Sequence, residues 1–169
     1  MPDLVIIHTN DMHNRLDVGG AQTLRRERER CAALLLDAGD AAWAGNVYYR
    51  PGGEPILETM SGAGYDVMTV GNREFHFTRG GFTSKLSRAS FSCLCANVSA
   101  TRCDPLPCVP SVIIERADLR IGVFGVTVPM VTPGSRAAAF SAYVFDPPLE
   151  AARRMVEHLR PRCDVLVAL

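Results

Sequence analysis

Short apolar runs alternate with helix-forming stretches from one end of this 169-residue chain to the other. Residues 4–8, 34–37, 66–70 and 91–96 read as strands, and between them 21–33, 55–63 and roughly 81–89 read as helices. That order predicts an α/β domain whose strands are largely buried. Residues 45–53 are too rich in Gly and Pro for a helix, and 99–108 read as an excursion loop. Residues 112–115 and 120–126, separated by Arg-Ala-Asp-Leu, predict an antiparallel pair. A helix over 148–159 has Pro at its start and Pro161 just past its end, and residues 164–169 begin another buried strand. No repeat, low-complexity tract or interdomain linker interrupts this single βα series.

Eighteen basic and eighteen acidic side chains cancel, so the chain has no broad field for nucleic acid or an anionic membrane. A phosphate would have to be recognised by a local site. The Arg-Arg-Glu-Arg-Glu-Arg run at 25–30 alternates in sign and places Arg25 and Glu29 one turn apart, the pattern of a solvated helix face. No apolar run reaches membrane-spanning length. The opening Met-Pro-Asp-Leu-Val-Ile-Ile lacks the marks of a secretory signal, so the expected compartment is cytoplasmic, with all six cysteines reduced. Cys93, Cys95, Cys103 and Cys108 are spaced too irregularly for a zinc ribbon, and no structural zinc is expected there.

Three strands, read independently, each end in a polar cluster: Asp11-Met-His13, Gly39-Asp40 and Gly71-Asn72. Sites in open α/β sheets are built at the carboxyl ends of strands. Two carboxylates, an imidazole and a carboxamide make a mixed oxygen and nitrogen set that suits manganese, zinc, iron or cobalt better than calcium or magnesium. Each residue alone is an ordinary turn or capping group. Their joint placement is what points to a metal.

These residues belong to longer strings: His8-Thr-Asn-Asp11-Met-His13, Leu36-Asp37-Ala-Gly-Asp40, Gly64-Tyr-Asp-Val-Met-Thr-Val-Gly71-Asn72-Arg-Glu74-Phe75 and Ala96-Asn97-Val98. In order and spacing they resemble the successive motifs of the 5′-nucleotidase branch of the calcineurin-like metallophosphoesterases. The resemblance runs from Leu4 to the end of the chain. It implies a metallophosphoesterase-type α/β/β/α sandwich, incomplete at the C-terminus, with residues 1–169 as the N-terminal portion of the domain. It also implies two divalent metal ions, with Asp11 and His13 on the first, Asp40 bridging both and Asn72 on the second. The implied parent activity is two-metal hydrolysis of a phosphate ester by a bridging hydroxide, the substrate being a nucleotide or a related small metabolite. His8 is expected in a structural role, with support of a metal ligand as the alternative. In the family, nucleobase recognition comes largely from a further C-terminal domain.

Two departures qualify this. The family's Gly-Asn-His-Glu, usually continued Phe-Asp, reads Gly71-Asn72-Arg73-Glu74-Phe75-His76 here, so both members of a catalytic His/Asp pair are replaced. Arg73 can donate to a phosphoryl oxygen but cannot give up a proton, and His76 could do so only if its loop turns it inward. Three readings compete: a rewired hydrolase with Arg73 as electrostatic stabiliser, a metal- or phosphate-binding module without turnover, and an inactive remnant. A surface salt bridge is the plain alternative for Arg73. The family's later Ser-His and Gly-His-x-His ligands have no counterpart in residues 1–169, and His158 falls inside a helix as a solvent or packing residue. The chain alone is therefore expected to be a weak hydrolase and a marginal fold.

Overall fold

Three consecutive leucines, Leu34, Leu35 and Leu36, are fully buried and point alternately to opposite sides of one strand. In the computed structural model, which describes residues 3–102 and 105–169, that strand is β2 (Leu34–Asp37). It lies between β1 (Ile6–Thr9) and β3 (Val67–Thr69), with β4 (Ser92–Leu94) beyond, in an all-parallel sheet of order β1-β2-β3-β4. The crossovers are α1 (Val18–Cys31), α2 (Pro55–Ala63) and α3 (Arg79–Leu86). They cover one face, where Leu35, Met68 and Cys93 pack with Ala21, Leu57, Met60 and Phe82.

The other face meets a second sheet of order β6-β7-β9, formed by β6 (Ser111–Arg116), β7 (Leu119–Phe124) and β9 (Val165–Ala168). Leu34, Leu36, Val67 and Leu94 from the first sheet share one apolar cluster with Ile121 and Val123 from the second. On the far side, α4 (Pro148–Leu159) packs against β7 and β9. The layers are thus α/β/β/α. The antiparallel pair expected near 112–126 is β6–β7, closed by Ala117 and Asp118, both with positive φ (51° and 58°), the backbone of a tight hairpin turn.

Several local expectations are corrected. β5 (Val98–Ala100) pairs with β8 (Tyr143–Phe145) where a loop was expected, because three-residue strands are too short to show a period. α1 begins three residues earlier than 21, since Asp17 accepts from Gly20 N at 2.7 Å and draws the Gly pair into the first turn. α3 spans 79–86 rather than 81–89, because Thr78 provides its N-cap. β1 and β9 are edge strands and only partly buried, so His8 on β1 is exposed rather than structural.

Arg25 Nε donates to Glu29 Oε1 at 2.9 Å on the exposed face of α1, as the charge pattern implies. No helix among the described residues is long and apolar enough to cross a membrane. Cys31, Cys93, Cys95, Cys108 and Cys163 are free thiols, and burial pushes Cys93 and Cys95 up to about 12. Cys103 lies outside the described residues.

Candidate metal centre

The loops after β1 and β2 run along one another through three backbone bonds. Asp11 N donates to Gly39 O at 3.0 Å, His13 N to Asp40 O at 3.1 Å and Asn14 N to Ala41 O at 2.7 Å. Asp11, His13, Asn14 and Asp40 all take left-handed backbone angles, with φ between 46° and 62°. Asn, Asp and His tolerate that region better than other side chains, and strained positions of this kind cluster at functional sites. The result is convergence: one donor atom from each of Asp11, His13 and Asp40 lies within 4.8 Å of the others.

His13 Nε2 is buried and has no hydrogen-bond partner; its near neighbour is Asp11 Oδ1 at 3.7 Å. An orphaned buried nitrogen facing two carboxylates is costly unless something electropositive sits among them. A divalent cation that accepts mixed nitrogen and oxygen ligands fits this donor set.

Beneath the ligands, Glu74 organises the floor of the site. Its fully buried carboxylate accepts from Asp40 N (3.0 Å), Ala42 N (2.8 Å) and Gly71 N (2.9 Å), which stitches the loop after β2 to the loop after β3. Burial pushes Glu74 up to about 7 against the opposing pull of these donors. Asp37 is held similarly, accepting from Thr9 Oγ1 at 2.6 Å and Gly39 N at 2.9 Å, with burial raising it to about 6. Arg73 N donates to Asp40 Oδ1 at 2.8 Å and orients that carboxylate from the other side. The two motif glycines are needed because these loops touch. Gly39 (φ 99°) abuts the Gly71 backbone, and a Cβ on Gly71 would overlap both the carboxylate and the backbone nitrogen of Asp40.

Asn72 stands on the same loop, one residue from the Arg73 N–H that holds Asp40, and its carbonyl accepts from Asn46 Nδ2 at 2.8 Å. Arg73 makes no carboxylate ion pair among the described residues, which removes the salt-bridge alternative. Its guanidinium instead donates to Trp43 O at 3.2 Å and lies 5.9 Å from the Trp43 ring centroid. His76 does not join the Asp11–His13–Asp40 group. It is buried against Tyr49 (ring centroids 5.0 Å apart), and its Nδ1 accepts from Thr78 N at 3.0 Å. Burial, aided by the Lys85 charge, holds His76 below the usual imidazole range.

Sequence reasoning assigned no role to Glu74 or Lys85. Lys85 is fully buried in α3, and its Nζ donates to the carbonyls of Gly45 (2.8 Å), Arg73 (2.5 Å) and Phe75 (3.2 Å). Burial lowers it to about 8, with Glu74 and Glu54 pulling the other way. The signal was present as a helical stripe: Phe82, Lys85 and Leu86 share the buried face of α3. Lys85→Met should strand these carbonyls without a donor and cost about 3 kcal/mol, the scale for buried groups left unsatisfied. Chemical denaturation checks the magnitude, and amide exchange should show the loss concentrated at 44–46 and 73–76.

Sheet, sandwich and strand-end donors together match a metallophosphoesterase-type fold, with an Asp–His–Asp group that could hold a metal ion. A probable 5′-nucleotidase of Treponema pallidum is 33% identical over 178 residues, spanning 90% of this chain and 29% of that protein. The structure of a 5′-nucleotidase precursor from Thermus thermophilus matches with a TM-score of 0.78 at 25% identity, over 98% of this chain and 36% of that one. Calcineurin-like phosphoesterase YfkN from Bacillus subtilis shares the fold, with a TM-score of 0.72 at 21% identity over 98% of this chain and 60% of that one. No family model matches the chain. The relatives and solved neighbours of this chain are thus 5′-nucleotidases and calcineurin-like phosphoesterases, and it spans about a third of the length of the two nucleotidases.

Proposed function

We propose that this chain supplies the N-terminal part of the catalytic centre of a metal-dependent phosphoesterase acting on nucleotides or related small phosphate esters. The observation that carries the reading is the convergence of Asp11, His13 and Asp40 around the orphaned Nε2 of His13. Asp11, His13 and Asp40 would hold one divalent cation, and Asp40 with Asn72 a second. Such a pair, when bound, supplies an activated water and neutralises phosphoryl charge during in-line displacement.

The chain's own residues do the positioning. Glu74 fixes the backbone on which Asp40 and Gly71 sit, and the Arg73 N–H aims the Asp40 carboxylate. The Arg73 side chain is a permanent cation beside this group, with no carboxylate partner among the described residues. It suits a transferring phosphoryl group whose catalysis is mostly electrostatic. Because a guanidinium gives up no proton, Arg73 stabilises charge rather than protonating the leaving group.

His76 gives a second reading its support. The motif imidazole three residues after Arg73 is packed under α3, which favours a module that binds metal and phosphate without turnover. Phosphate release from nucleoside monophosphates, assayed with manganese, cobalt and zinc, separates the two. Arg73→Ala should lower kcat by about a hundredfold, the scale for losing one such stabiliser, and Arg73→His should restore turnover. In a chain that also carries the later histidine ligands, metal binding without any release would leave only the binding module, and unchanged kcat in Arg73→Ala would remove Arg73 from the chemistry.

A further inference from the structure

The buried Lys85 ammonium is enclosed by backbone carbonyls. Its Nζ lies 3.5 Å from Ala44 O, 2.8 Å from Gly45 O, 2.5 Å from Arg73 O and 3.2 Å from Phe75 O. An ammonium has only three protons to donate, so four oxygens surround it as a coordination shell would. Among the described residues no carboxylate bonds it. Neutral carbonyl oxygens gathered around one point are the donor set of a dehydrated monovalent cation, whereas divalent ions call for carboxylates. The counter-charge stands apart. Glu54, at the N-cap of α2, is 1% exposed, and neither of its carboxylate oxygens has a hydrogen-bond partner. Arg50 Nε is 3.8 Å from Oε2, and Glu54 and Lys85 attract one another across the interior, with Glu74 and Asp40 pulling from the side of the site. A buried carboxylate without donors needs a cation nearby to offset its burial.

The carbonyls come from the two loops that carry Asp40 and Asn72. Arg73 is held at both ends of its backbone: its carbonyl faces Lys85 and its N–H aims the Asp40 carboxylate at 2.8 Å. On the other loop, the Gly45 carbonyl faces Lys85, and the adjacent Asn46 Nδ2 donates to Asn72 O at 2.8 Å. Resting on the metal reading above, we infer that this cage is a monovalent-cation site whose resident cation is the tethered Lys85 ammonium, which makes Lys85 a positioning residue for the metal group. Carbonyl dipoles aimed at one point repel one another unless a positive charge stands among them. It is therefore the charge of Lys85, more than the shape of its stem, that keeps the two loops together.

Lys85→Ala removes the ammonium and leaves room for a free cation, whereas Lys85→Met fills the space without a charge. Manganese affinity is measured by calorimetry in choline, potassium and ammonium chloride at matched ionic strength, choline being too bulky for the cage. In choline both variants should bind manganese about tenfold more weakly than wild type, the scale for losing a group that orients a ligand. Removing a positive charge from behind the site would by itself tighten divalent binding, so weakening reports lost geometry. Potassium or ammonium should restore Lys85→Ala and raise its melting temperature, and should do neither for Lys85→Met or wild type. Wild-type or tighter manganese affinity for Lys85→Ala in choline would overturn the positioning role. A loss that neither potassium nor ammonium reverses would overturn the cation site. If Lys85→Ala is unfolded in choline, circular dichroism must show it folding in potassium or ammonium, and failure to do so overturns the inference equally. A wild-type chain that binds no manganese would instead sink the metal reading, and the positioning role with it.

Discussion

Replacing Asp40 with Asn is expected to lower the affinity of the chain for manganese or zinc by at least about a hundredfold, beyond the loss typical of a residue that merely supports a ligand. The substitution is close to isosteric. Its amide oxygen still accepts from Arg73 N, and the backbone bonds from His13 N and to Glu74 are untouched, so the loop keeps its shape. What disappears is one negative charge from a set whose other members are a single carboxylate, Asp11, and the His13 imidazole. Calorimetric titration measures both affinity and stoichiometry. Wild-type values for both would remove Asp40 from the metal site and leave His13 Nε2 without an account of its missing partner.

Gly71→Ala should destabilise the fold by about 3 kcal/mol, the upper range for inserting a methyl into packed surroundings, and should weaken metal binding with it. The new Cβ meets the Asp40 carboxylate and backbone nitrogen, and Glu74 Oε2 at 2.9 Å. None of these can yield, because Glu74 and Arg73 N already hold them. Gly62→Ala is the matched control. Gly62 lies within α2, a Cβ there touches nothing within 4 Å, and the change should stabilise by about 0.5–1 kcal/mol through helix propensity. Urea unfolding of both variants measures the contrast. A Gly71→Ala protein as stable as the control would mean that the two site loops are not in contact.

Both predictions rest on residues whose placement was only partly readable from the chain itself. β2, α2 and α4 lie where apolar pattern and Pro and Gly punctuation put them, because burial on both faces and helix termini are encoded within a few residues. The polar groups at the strand ends were legible for the same reason. Their convergence required more: strands brought side by side, and loops bent by left-handed Asp11, His13 and Asp40.

Local pattern thus determined the α/β class, the order of the elements and the set of polar groups that could meet. Tertiary structure alone decided that β5 pairs with β8, that β1 is an edge with His8 in solvent, and that His76 packs beneath α3. It also decided that a lysine and a glutamate, ordinary surface residues by composition, are buried as the ties between the site loops. The physical reason is the same in each case. A strand's apolar period or a helix cap is settled by neighbours in sequence, whereas the direction of a polar side chain follows the hydrogen-bond partners that burial leaves it, and those come from other elements.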